Sequence, residues 1–209
     1  MRNILIVAAL AVFFVIPSFA ADVNLGVSLD NDGLKGFYLS IGEHYRVADK
    51  EIVAARKNNI PNEEMPVAFF LARQANTSPE AVIKLRLGGK SWMDITAHFG
   101  LSAEIFYVPL KQVSGPPYGN AYGHFKNKNR KEWKNIRLTD PDIVNFVNLK
   151  FISEHYGCSP DEVVKMREKG NDFISINSEV KKNKAKKDSQ PVASKDKKEK
   201  QNKGKGKSK

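Results

Sequence analysis

The sequence predicts a mainly α protein: a compact helical domain built from three helix–turn–helix units, with a short N-terminal β-hairpin and a disordered C-terminal tail. Three observations lead there. A sixteen-residue helical phrase, "IGEHYRVADKEIVAAR" at 41–56, returns as "ISEHYGCSPDEVVKMR" at 152–167 with seven identities, and in looser form as "LARQANTSPEAVIKLR" at 71–86. Charge is segregated: residues 181–209 carry 13 of the 34 basic residues and three of the 23 acids, so the remainder of the chain is nearly neutral. Strict alternation of apolar and polar residues, the mark of a half-buried strand, occurs only near the N-terminus.

Residues 1–20 have the form of a secretory signal. Arg2 precedes an apolar run from Ile4 to Ile16, Pro17 ends it, and Ser18 and Ala20 suit cleavage before Ala21. Thirteen residues would rise about 20 Å as a helix, short of a hydrocarbon core of roughly 30 Å. The expectation is an exported protein of the periplasm or the extracellular space, with no integral membrane span in the mature chain. A single cysteine, Cys158, rules out an internal disulfide and suits a bacterial envelope better than a small eukaryotic secreted domain. Residues 21–180 then form one domain.

Within that domain, Val23, Leu25, Val27 and Leu29 alternate, as do Phe37, Leu39 and Ile41, and "DNDG" lies between them; a β-hairpin over 22–41 follows. The three phrases come next, at offsets of 30 and 81. Each reads as a helix end, a short turn and a new helix. Ser78-Pro79 and Ser159-Pro160 are helix starts, because the hydroxyl accepts a backbone N–H and proline fits the first helical position. Asn58-Asn59, Gly88-Gly89 and Gly170 are stops. The pairs Ile52/Val53, Val82/Ile83 and Val163/Val164 are expected to face one interior. About fifty residues separate the second unit from the third, so the arrangement is a folded-back domain rather than a contiguous solenoid.

That intervening stretch contains "VSGPPYGNAYGHFKNKNRKEW". Its prolines and glycines predict a long loop over 111–137, with Tyr118, Tyr122, His124, Lys126 and Trp133 as candidate ligand-binding residues. Aromatic rings beside cations suit a sugar, peptide or base carrying an anionic group. The competing reading packs the tyrosines over the helical core, as compact loops do. Farther on, "LTDPDIVNFVNLKFISEHYG" is a strong helix that starts at Asp140-Pro141 and stops at Gly157. The hairpin, "GPPYGNAYG" and "VNLKFISEHYGCSPDEVVKMR" together resemble a group of exported bacterial proteins over roughly residues 23–180. No activity is established for that group, so the resemblance implies a location and nothing catalytic.

Candidate chemistry is sparse. Glu43-His44-Tyr45 and Glu154-His155-Tyr156 place histidine beside glutamate twice. Neighbouring residues on a helix point to different faces, and the middle unit has Arg73-Gln74-Ala75 there, so structural repetition is favoured over a metal or acid–base pair. Arg56, Arg86 and Arg167 share one position of the unit and read as surface charges whose stems cover the core, with a shared ligand-facing role as the alternative. No nucleophile motif or phosphate-cradling loop is present; no catalytic residue, metal or cofactor is assigned. The expected function is a non-enzymatic binding or scaffold module. Its partner would be an anionic polymer, lipid or acidic protein of the cell envelope, held through residues 181–209. A periplasmic enzyme using His124 or the His44/His155 pair is the alternative. A nucleic-acid-binding helix-turn-helix protein comes third: export would keep the chain from cytoplasmic nucleic acid, and the folded part lacks net positive charge.

Overall fold

A computed structural model describes residues 32–111 and 115–189; the expected signal, the first expected strand and the end of the tail lie outside them. Nine α-helices make up the described chain, with no strand among the described residues: α1 (Asp32–Tyr45), α2 (Asp49–Lys57), α3 (Met65–Gln74), α4 (Pro79–Leu87), α5 (Trp92–His98), α6 (Tyr118–Lys126), α7 (Asp140–Tyr156), α8 (Pro160–Glu168) and α9 (Phe173–Asp188). Short 3₁₀ turns precede α3 and flank α6.

Phe37, Leu39 and Ile41, expected in a second strand, lie in α1. Leu34, Phe37/Tyr38, Ile41 and Tyr45 recur every three to four residues, and that period wins. Phe37, Tyr38, Ile41 and Tyr45 are all buried, whereas Leu39 is left 40% exposed.

The repeat is visible in the backbone. Arg46, Asn76 and Gly157 occupy one position of the unit, and all three are left-handed, with φ of 56°, 50° and 68°. The following N–H reaches back across the turn each time: Val47 to the Gly42 carbonyl, Thr77 to Ala72 and Cys158 to Ser153, at 3.1, 2.9 and 3.1 Å. This is the six-to-one closure that satisfies the orphan carbonyls of a helix end. The second helix of each unit ends the same way, at Asn59, Gly89 and Gly170, again left-handed. Ile60, Lys90 and Asn171 donate back to Ala55, Leu85 and Met166. The unit is therefore helix, left-handed turn, helix, left-handed turn, and its pattern extends into the next helix start. α1–α2, α3–α4 and α7–α8 are the three copies, and α5 and α9 begin further units that do not complete among the described residues.

Helix starts differ between copies in an instructive way. Ser78 accepts from Ala81 N–H and Ser159 from Asp161 N–H, whereas the equivalent Ala48 has no side-chain acceptor. Arg46 also holds a left-handed conformation that disfavours a residue with a Cβ. Giving the first copy the residues of the third, Arg46→Gly and Ala48→Ser, should raise stability by about 1 kcal/mol for each change. Both positions are exposed. Equal or lower melting temperatures in both variants would show that the shared turn geometry does not limit stability.

The core runs through all nine helices and is closed by the first and last of them: α9 packs along α1, and both rest on α7. Ile52, Val82, Ile83, Val163 and Val164 are buried as the repeat demands, but Val53, expected to face the same interior, is only half-buried. The expected loop over 111–137 is instead helical in its centre. Tyr118, Ala121, Tyr122 and Phe125 form one stripe, with Tyr118, Ala121 and Phe125 buried against α7. The basic tail also starts later than expected. α9 continues to Asp188, eight residues past the expected boundary at Val180. Helix propagation from a packed segment is cheap, and lysine and alanine are good helix formers.

Candidate functional site

The aromatic segment folds into the protein. Tyr118 is fully buried on Phe146, at 6.1 Å between ring centroids, and burial pushes its phenol well up. Trp133 is 9% exposed, wedged on Tyr107 (4.6 Å) and Phe125 (5.1 Å), and its Nε1–H is shared by the Phe125 and Lys128 carbonyls. Tyr122 is half-buried, stacks on Tyr107 and shares a 2.9 Å hydroxyl–hydroxyl bond with it; its Oη also accepts from Leu110 N–H. That bond, ahead of burial, lifts the Tyr107 phenol to about 12. Neither Tyr118 nor Trp133 has a free face for a ligand ring. His124 and Lys126 remain exposed. The five expected site residues are thus divided between an interior and a surface, and the packing alternative describes the two largest rings.

The arginines of the repeat are clasps. Arg56 lies over Tyr38, Arg86 over Trp92 and Arg167 over Phe173, with guanidinium-to-ring distances of 4.9, 4.7 and 4.6 Å. Arg86 and Arg167 repeat further: each donates to the carbonyl four residues on, Lys90 and Asn171. Each covers the aromatic that starts the next helix, and each of those helices offers its first N–H to a distant carboxylate. Trp92 N–H meets Asp140 at 2.7 Å and Phe173 N–H meets Glu63 at 2.7 Å. Arg86 also grips Glu64 through Nε and Nη2, and Asp140 through Nη1 at 2.6 Å. Their charged ends are occupied by the protein itself.

The two Glu-His-Tyr triplets come together where α1 and α7 end side by side. His44 faces Glu154 at 3.8 Å and His155 faces Glu43 at 3.5 Å, a reciprocal pair across the two copies. The imidazoles lie edge to face with centroids 6.0 Å apart. Adjacent residues on one helix do point apart, but here each glutamate meets the other helix's histidine. Burial, then His155, then Arg73 depress His44 to about 4. His155 is also lowered, by burial first; Glu43 opposes and Lys184 and Lys181 of α9 assist. Both glutamates are largely exposed and offset little. Among the described residues no His, Cys, Asp and Glu group has the arrangement to hold a metal ion. Next to this pair, Ser40 and Tyr156 share a 2.7 Å bond, and the fully buried Asn177 amide of α9 lies beside the Tyr156 hydroxyl. The seam between α1, α7 and α9 is accordingly polar. Cys158, half-buried nearby, has its thiol pushed up by burial and by Glu162.

Beyond this seam α9 leaves the body of the protein. Val180 is its last buried residue, and all of residues 181–189 are exposed, bearing Lys181, Lys182, Lys184, Lys186 and Lys187. No helix among the described residues is long and apolar enough to cross a membrane. No family model, curated protein or solved structure matches the chain.

Proposed function

We propose that the protein is an exported, non-enzymatic scaffold whose helical repeat presents a cationic rod to an anionic polymer, lipid surface or acidic protein of the bacterial envelope. The observation that carries this reading is the projection of α9: five lysines within seven residues, on two helical turns that bury nothing. Eight more lysines follow in 190–209. Placed near a helix C-terminus the cations also suit the helix dipole. A helical start to the basic segment fixes where the charge leaves the domain, so that a bound polyanion lies next to the α1/α7/α9 seam. Export is supported by the signal-like pattern of residues 1–20 and by the single cysteine.

Polyphosphate and vesicles containing phosphatidylglycerol are suitable probes. The full chain, a chain ending at Asp188 and a chain ending at Val180 should bind in descending order. Affinity of the full chain should fall steeply between 50 and 200 mM salt, because screening shortens to about 8 Å near 0.15 M. Equal binding by the chain ending at Val180 would refute the assignment. Vesicle binding without polyphosphate binding would narrow the partner to a lipid surface.

A further inference from the structure

The repeat leaves one place unfilled. In the first two units the second helices, α2 and α4, lie against each other. A third unit starts in phase at Trp92, thirty residues after Asn62, but its first helix is cut short. The left-handed turn expected at 106 by the thirty-residue period comes at Gly100, where Leu101 N–H closes on Thr96. The chain then departs into a 3₁₀ turn at Ala103–Phe106 instead of building a second helix along α4. The far side of α4 is open as a result. Ala81 and Leu85 of α4 and Phe99 of α5 line an open cavity of about 390 Å³.

We propose that this face of α4 is a docking site for an acidic amphipathic helix of a partner protein. The geometry supplies the shape: the position is the one a repeat helix would take, and α2 and α4 are each nine residues long. At 1.5 Å per residue that is about 13 Å of helix, two to three turns. The apolar floor supplies the contact for one helical face, in the manner of helix-in-groove recognition. Charge selects the sequence. Lys84, Lys90 and His98 border the floor and are exposed. Lys84 and Lys90 form no salt bridge among the described residues, and Asp94, which acts on Lys90, already caps α5 with Ser91. A lysine-rich segment such as 181–209 is repelled here. An occupant with leucines on one face and glutamates around it satisfies both the floor and the rim.

A blocked twelve-residue peptide of that design, and its counterpart with lysine in place of glutamate, test this on the full, ¹⁵N-labelled chain. The acidic peptide should shift amide resonances of α4 and α5, and the lysine peptide should not. Lys84→Glu with Lys90→Glu, at exposed positions, should weaken the acidic peptide at least tenfold and reverse the preference; Ala81→Gln, on the cavity floor, should weaken both. Shifts confined to residues 181–209, or affinities indifferent to Lys84→Glu with Lys90→Glu, would overturn the site in favour of capture by the basic segment. No shift at millimolar peptide would overturn it outright. Displacement of the peptide by decanoate at lower concentration would make the cavity an amphiphile site, and self-association abolished by Ala81→Gln would make a second copy the occupant; either replaces the proposal.

Discussion

Trp92→Ala should destabilise the protein by about 3–5 kcal/mol, a large part of the 5–15 kcal/mol typical of a domain. Trp92 is fully buried at the point where the second unit hands over to the third. Its ring lies under Arg86, its Nε1–H donates to Glu64 at 3.1 Å, and its backbone N–H donates to Asp140. Removing the indole leaves a cavity and withdraws both the cover of Arg86 and the third hydrogen bond to the Glu64 carboxylate. The repeat itself provides the control. Phe173 holds the equivalent position beneath Arg167 at 4.6 Å with no side-chain donor. Trp92→Phe should therefore keep the ring–guanidinium contact and cost about 1–2 kcal/mol, chiefly for lost volume and one lost hydrogen bond to a carboxylate oxygen that Arg86 still holds. Urea unfolding of the two variants measures the difference. A cost below 1 kcal/mol for Trp92→Ala would mean that the arginine clasps do not tie the units together.

The clasps show where sequence reasoning reaches and where it stops. Local chemistry was legible: the left-handed turns at Asn59, Gly89, Gly157 and Gly170 and the serine caps follow from residue type, whereas the turns at Arg46 and Asn76 emerge only in the backbone. What an arginine covers is tertiary. Arg56, Arg86 and Arg167 share a register, but the carboxylates that meet Arg86 and Arg167 come from distant positions such as Asp140 and Glu63. The aromatic segment failed for another reason. Gly119 and Gly123 argue against a helix on propensity, yet Tyr118, Ala121, Tyr122 and Phe125 have the spacing of a helical stripe, and burial against α7 outweighs about 1 kcal/mol per glycine. That spacing was the available signal. At the N-terminus two periods competed over Phe37–Ile41, and the three-to-four spacing extends further, through Tyr45. For 181–188, composition described the exposure correctly but not the backbone, because a lysine-rich stretch attached to a packed helix continues it.

Lowering the pH from 7 to 4 should cost roughly 3 kcal/mol of unfolding free energy through His44 alone. Its folded-state value is about 4, against about 6.5 for an unfolded histidine. Between those two values the unfolded chain binds a proton that the folded chain does not. Stability thus declines as pH falls below 6.5 and levels off near 4. The slope approaches 1.4 kcal/mol per pH unit in the middle of that window. The groups around the pair account for the sign. Burial dominates; His155 of α7 and Arg73 of α3 add repulsion to a charged His44, and Lys184 and Lys181 of α9 do so for His155. Glu154 and Glu43 pull the other way, but both are mostly exposed, where water screens them. His155 shifts in the same direction and steepens the loss. Since carboxylates elsewhere also titrate near pH 4, the informative comparison is with His44→Gln, which keeps a polar side chain at the α1/α7 contact and removes the proton site. Urea unfolding at half-unit steps should show that variant losing less stability than the wild type between pH 6.5 and 4.5, by about the His44 contribution. If the wild type instead gains stability over that interval, the reciprocal glutamates outweigh burial, and the paired triplets bind protons on folding rather than expelling them.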